Sequence, residues 1–355
     1  MTEFLVQRSY ADRYNLIACA IGHHIMESRW LRDSTYLHQI LRTWYFGNDG
    51  RAMTKMNKFS SWNPFAVQQL FCVEGDTAFV LSLKPRLEEE YARWESTNQL
   101  PSGLYWQGDV QDGMEESISG GRKKQYARPT INSYMYGNAE ALAWMNSMTN
   151  AVDSARLYKQ KASTLRNLIC EHLWNPDHHF FETRRGDISD TLAQVREAIG
   201  YIPWYFNMPL PAAEKHHVAW QQLLDERGFS APYGLTTAER RHPQFRSHGV
   251  GKCEWDGAIW PFATSQTLTA LANYLNEKAQ RIPAPEEDGQ DVGADTFFHQ
   301  MELYTESQHH RGRPYIGEYL DETTGAWLMG DRERSRYYNH STYNDLIITG
   351  ICGLR

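Results

Sequence analysis

Apolar residues recur along this chain at helical rather than strand spacing. Leu5, Tyr10, Tyr14, Ile17 and Ile21 predict a helix over residues 3–25. A second spans 34–44 and stops before Gly47-Asn48-Asp49-Gly50, a cluster of breakers. Asn63-Pro64 starts a helix that reaches Phe71, because proline suits a first turn. Asp76 opens another that runs to Trp94. Leu81, Leu83, Leu87 and Tyr91 would face inward, Lys84, Arg86 and Glu88 to Glu90 outward, and Pro85 should kink or split it. Residues 130–148 and 151–173 pair across a very short turn. The stretch 153–174 carries the clearest amphipathic stripe, Leu157, Ala162, Leu165, Leu168, Ile169 and Leu173. It stops at Trp174-Asn175-Pro176-Asp177. Further helices are expected over 189–199, 211–227, 258–278, 295–311 and 340–354, with an aromatic loop at 201–206. The Pro-rich, acidic segment 281–291 reads as a surface loop between two helices.

About a dozen helices and no alternating strand run make this an all-α chain. Very short turns alternate with long loops rich in glycine, aromatics and acids. A closed ring of helical hairpins requires that alternation, with long loops at one mouth and short turns at the other. No domain boundary stands out, so residues 1–355 read as one barrel.

Charge and composition narrow the function. The net charge is −7, from 36 basic and 43 acidic residues, with no basic block, which argues against a nucleic-acid partner. No apolar run reaches the length of a membrane span. Cys19, Cys72, Cys170, Cys253 and Cys352 are scattered, odd in number and outside any ligand spacing, and they suit a reducing compartment. The first residues, with Arg8, Asp12 and Arg13, lack the apolar core of a signal peptide, so a cytoplasmic location is expected. The Asn339-His340-Ser341 sequon carries little weight without an export signal. His23-His24 and His309-His310 point their side chains about 100° apart on a helix, so no metal is expected. Glycine-rich nucleotide loops and Gly-x-Ser-x-Gly are absent, and no cofactor is expected. The sequence does not fix an oligomeric state.

The organising stretch is 102–136, which sets Asp112, Glu115 and Glu116 in a loop beside Tyr105, Trp106 and Met114. Carboxylates beside flat aromatic faces suit a sugar, whose hydroxyls and C–H faces they would grip. Breaking a glycosidic bond takes two carboxyls on opposite sides of the anomeric carbon. A second acid-bearing stretch lies about 200 residues on, where Glu318 follows Gly317 and sits between Tyr315 and Tyr319. A third, from Cys253 to Pro261, offers Trp255, Asp256 and Trp260 as substrate contacts, with Asp256 also suited to cap the helix that follows.

Six short matches now add a resemblance. Asp112-Gly113-Met114-Glu115-Glu116-Ser117 and 130–136 resemble the acid motif and the segment after it in trehalases and family 63 glycoside hydrolases. Ser60 to Pro64, Pro232 to Thr237, Trp255 to Pro261 and Gly317-Glu318-Tyr319 resemble further trehalase segments, in the same order. The resemblance also covers the mannosylglycerate-hydrolase-like group. It implies an (α/α)6 barrel and exo-acting, inverting hydrolysis of a short, α-linked oligosaccharide or glycoside. Carried across, Glu115 is the general acid and Glu318 the general base, with carboxyls about 6.5–9.5 Å apart. Asn132, Tyr136, Asp256 and Trp260 would line the sugar subsite, with Trp106, Asp112, Trp255 and Tyr319 as further contacts. The family acid is normally Asp, so Glu116 and Asp112 stay open as alternatives to Glu115. Two other readings stand beside hydrolysis: a sugar phosphorylase on the same barrel, and a carbohydrate-binding relative without chemistry. Such enzymes often carry extra β domains, so this chain is either a minimal version or a truncated one.

Overall fold

A computed structural model describes residues 18–47, 50, 57–210, 213–249, 253–280, 292–330, 335, 338 and 340–354. Its ring helices, in chain order, are α1 (Ala18–Ser28), α2 (Thr35–Phe46), α3 (Asn63–Glu74), α4 (Thr77–Asn98), α5 (Pro129–Met148) and α6 (Val152–His172). Then come α7 (Ile202–Tyr205, entered through a 3-10 turn at Ala198–Tyr201), α8 (Ala213–His217, continued as 3-10 through Val218–Leu223), α9 (Pro261–Gln280), α10 (Ala294–Ser307) and α11 (Tyr343–Leu346, running on through Ile347–Ile351). The odd-numbered helices pack side by side, α1 on α3, α3 on α5, α5 on α7, α7 on α9, α9 on α11 and α11 back on α1. The even-numbered helices lie outside them among the described residues. The fold is an (α/α)6 barrel.

Burial separates the two layers. Sixteen of the twenty residues of α5 are buried, whereas α6 buries only Ala162, Leu165 and Ile169. A helix covered on every side belongs to an inner ring, and one with a single stripe to an outer ring. Leu157, expected in that stripe, is exposed, because the contact face of α6 is narrower than the periodicity implies.

Short links join α1 to α2, α3 to α4 and α5 to α6. Between α3 and α4 the link is Gly75, in the left-handed region at φ 68°, and Asp76, whose carboxylate accepts the Phe79 N–H at 2.9 Å. Long segments run back from outer to inner helices, so the inner N-termini gather at one mouth. Pro64, Pro129, Pro203 and Pro261 occupy the first turns of four of them, where no N–H is needed.

Several expectations need correction. α4 is unbroken, because Pro85 lies on its solvent face, where a lost backbone bond is easily rehydrated. Glu90 faces inward and accepts hydroxyl bonds from Tyr45 and Ser61, both at 2.6 Å. Residues 189–197 form no helix: their backbone pairs laterally, Leu192 with Arg184 and Glu197 with Ala238, and walls the mouth. Residues 201–206 are no loop: they form α7 and bury Tyr201, Trp204, Tyr205 and Phe206 in the core. Residues 309–314 form a two-strand hairpin beyond α10. The stretch 3–17 and the loop 281–291 lie outside the described residues.

The ring closes between its first and last members. Arg29, just past the end of α1, meets Asp345 of α11 at 2.8 Å, and the Trp30 indole N–H reaches the same carboxylate at 2.6 Å.

Candidate active site

The segment between α4 and α5 carries the first acid. Backbone bridges from Tyr105 to Gln99 and from Gln107 to Tyr126 hold it against the mouth. A single helical turn, Asp109–Asp112, ends on Gly113 at φ 73° and delivers Met114, Glu115 and Glu116. Arg128, fully buried, fixes both sides of this loop. Its Nε donates to Asp112 at 2.6 Å, while its two terminal nitrogens reach Ser119 at 3.3 Å and Ser117 at 3.2 Å. Asp112 also accepts from Thr130 at 3.0 Å, Ser60 at 3.3 Å and Gln107. Glu197, on the opposite wall, accepts the Ile118 N–H at 2.8 Å, the Ser119 N–H at 3.3 Å and the Ser119 hydroxyl.

The three neighbouring acids therefore differ. Asp112 is buried in a salt bridge to Arg128, and Glu116 pairs with Arg122 at 2.8 Å. Glu115 is half-buried and, among the described residues, has no ion pair of that kind. Burial pushes its carboxyl above the ordinary value. The negative charges of Asp109 and Glu318 add to that push, against its own backbone N–H and the Arg122 cation. Glu318 thus stands close enough for its charge to act on Glu115.

Glu318 comes from the other side of the mouth. Leu320 and Ile259 exchange both backbone hydrogen bonds, at 3.0 and 2.9 Å, and Leu320 also bridges to Trp327. This small ladder sets Trp260 against Tyr319, stacked at 4.6 Å, and Trp255 against Trp260, stacked at 4.0 Å. Gly317 is required where the chain passes Trp327, since a Cβ there would lie 2.4 Å from the indole. The Glu318 carboxylate is buried and accepts the Ser335 hydroxyl at 2.8 Å. Arg246 joins this loop to the Trp255 segment, meeting Asp321 at 2.6 Å, Glu322 at 2.5 Å and Glu254 at 2.6 Å. A cleft of about 310 Å³, counting space open to solvent, lies between the walls, lined by Met114, Ser117, Arg128, Glu197, Trp255 and Gln266 among others.

The remaining expected contacts divide. Asp256 is fully buried and does not cap α9, which begins at Pro261. One of its oxygens instead accepts two bonds from His248, from the backbone N–H at 3.0 Å and from Nδ1 at 2.8 Å. Asn132 is buried and engaged with backbone, bonding Tyr105 N–H at 2.8 Å, Tyr105 C=O at 2.9 Å and Arg128 C=O at 2.8 Å. It braces the loop and has no amide hydrogen left for a sugar. Tyr136 turns toward α6, where Glu140, Arg166 and Cys170 are its charged or polar neighbours. Tyr134, two residues earlier and so on the opposite side of α5, faces the barrel interior, packs on Trp62 at 4.9 Å and accepts from Gln266 at 3.0 Å. Trp106 is half-buried and its backbone pairs with Asn98 at the end of α4.

Sequence reasoning missed Arg128, Glu197, Ser335 and His248. None belongs to a motif; each acts across 8 to 79 positions of chain. Arg128 had one visible signal, a lone basic residue just before the proline that starts α5.

A second cavity, about 860 Å³ by the same measure, opens at the short-turn end, lined by Arg29, Trp30, Phe65, Gln69, Tyr205 and Asp345 among others. Its charged groups already hold each other across the ring seam. Among the described residues no cluster of His, Cys, Asp and Glu is arranged to hold a metal, and no helix is long and apolar enough to cross a membrane.

Comparison with known proteins agrees with this fold. The family model described as mannosylglycerate hydrolase MGH1-like glycoside hydrolase domain matches residues 13–341. A solved structure named sialidase is 65% identical, with a TM-score of 0.93 over 100% of this chain and 32% of that one. The chain therefore spans about a third of that protein's length. A family 63 mannosylglycerate hydrolase from Thermus thermophilus, in complex with glucose, superimposes with a TM-score of 0.67 at 12% identity, covering 94% of this chain and 92% of that one. Neutral trehalase from Saccharomyces cerevisiae does so with a TM-score of 0.64 at 11% identity, covering 95% and 71%. No curated protein matches the sequence.

Proposed function

Since this chain belongs to the mannosylglycerate hydrolase MGH1-like glycoside hydrolase domain family, we propose that its cleft cleaves a short, α-linked glycoside from one end by single displacement. The observation that carries this reading is the unlike pair of carboxyls across the mouth. Glu115 is pushed up by burial and by the charge of Glu318, as a general acid needs in order to stay protonated. Glu318, on the other side of the mouth, accepts the Ser335 hydroxyl, which fixes the direction of its carboxylate. Glu115 gives its proton to the departing oxygen as the bond to the anomeric carbon breaks. Glu318 takes a proton from the water that attacks the opposite face, so the configuration inverts.

The stacked rings of Trp255, Trp260 and Tyr319 supply an apolar wall beside the base. Asp112 and Glu116 are less available to a substrate, because each is already paired with an arginine. A phosphorylase reading gains no support, since the cleft's Arg128 is fully engaged by Asp112, Ser117 and Ser119. The test is anomer-resolved proton NMR against α- and β-linked gluco-, manno- and galactosides, with trehalose, mannosylglycerate and a sialoside included. Release of a sugar of inverted configuration is expected. Retention would overturn the roles of Glu115 and Glu318, and no release from any member would overturn hydrolysis.

A further inference from the structure

His248 stands outside every motif, yet it makes the closest side-chain contact to Asp256. The Asp256 carboxylate is wholly buried, and its two oxygens are treated differently. Oδ2 takes both the backbone N–H and the Nδ1 of His248, at 3.0 and 2.8 Å. Oδ1 is buried without a hydrogen-bond partner. A buried carboxylate oxygen without a donor is costly, and a ligand hydroxyl would relieve that cost. Its partner His248 stands 4.0 Å from Glu116, which puts Asp256 beside the acid loop, so that ligand is the one the loop receives.

We propose that His248 is a positioning residue for sugar binding. It clamps Asp256 by one oxygen so that the other is presented, fixed in direction, to a sugar hydroxyl. The inference rests on the glycosidase reading of this cleft. The chemistry is that of a second residue that orients the first, since a carboxylate held at one oxygen cannot rotate to satisfy itself elsewhere. The far side of the imidazole points toward the acid loop, its Nε2 4.0 Å from Glu116, which is itself paired with Arg122. Among the described residues, Asp256, Glu116 and, behind it, Arg122 are the charged groups that face the ring. His248 is more than a third exposed, so its replacement leaves the core intact.

Amide isosteres separate the two ends of the ring. Asparagine places an N–H where Nδ1 stands, and glutamine places one where Nε2 stands. The experiment titrates the monosaccharide released by the wild-type chain into His248→Ala, His248→Asn and His248→Gln, and measures kcat and KM for each alongside Glu115→Gln and Glu318→Gln. His248→Ala and His248→Gln should weaken monosaccharide binding about 10- to 100-fold, the range of a hydrogen bond to a charged group. His248→Asn should recover to within about threefold. Wild-type binding by His248→Ala, or an asparagine variant as weak as alanine, would overturn the proposal. Full turnover by the Glu115 and Glu318 variants would instead overturn the catalytic reading, and the binding series would still report on His248.

Discussion

The two ends of this barrel are built from the same six inner helices but hold their charges in opposite ways. At the short-turn end Arg29 and Asp345 neutralise each other, with Trp30 completing the carboxylate's bonds. At the mouth acids crowd together, Glu115 is pushed up by burial and a like charge, and one Asp256 oxygen has no partner. The larger cavity lies at the first end and the unlike carboxyl pair at the second. Volume therefore says less about function than unfinished electrostatics does. One end closes a ring; the other is left incomplete until something binds.

The sharpest way to break this contrast is to remove the acids at the mouth. Glu115→Gln and Glu318→Gln should each lower kcat by about 10²- to 10⁴-fold, measured on whichever glycoside the wild-type chain cleaves, with melting temperatures unchanged. At the opposite end the outcome should be reversed. Arg29→Met leaves Asp345 buried without its cation and should cost about 3–5 kcal/mol of stability by urea denaturation, while kcat of the folded fraction holds. If that variant lost turnover without losing stability, the division between the two ends would fail.

Smaller changes sharpen the picture at the mouth. Ser335→Ala removes the hydroxyl that Glu318 accepts and should lower kcat about 10-fold, the effect of one bond to a charged group. Arg122→Gln removes a cation that holds the Glu115 carboxyl down. Its loss raises that carboxyl further, so the acid stays protonated to higher pH. The alkaline limb of the kcat/KM profile should then move upward by a few tenths of a pH unit, a small effect because Arg122 is mostly exposed and screened. A downward move would reverse the sign assigned to Arg122.

Periodicity located most ring helices because helices form from local bonds and a repeating apolar stripe. Asn63-Pro64 marked a start for the same reason, since proline's fit to a first turn is local. The reading failed where neighbours outvoted the local pattern. Residues 189–197 carry helix formers yet pair as extended backbone, because Arg184 and Ala238 offer partners there. Tyr136 and Tyr134 are two positions apart, and no pattern in α5 distinguishes the inward one when sixteen of its residues are buried.

The sequence by itself determined an all-helical ring, the alternation of short and long links, and the two acid-bearing loops at its mouth. These follow from spacing, glycine and proline, which act within a few residues. Only the tertiary structure decided which of Asp112, Glu115 and Glu116 lacks an arginine, that Glu318 stands close enough for its charge to act on Glu115, and that His248 holds Asp256. Those outcomes depend on burial and on partners brought together from distant parts of the chain, and charge, hydrogen bonding and desolvation act through space rather than along sequence.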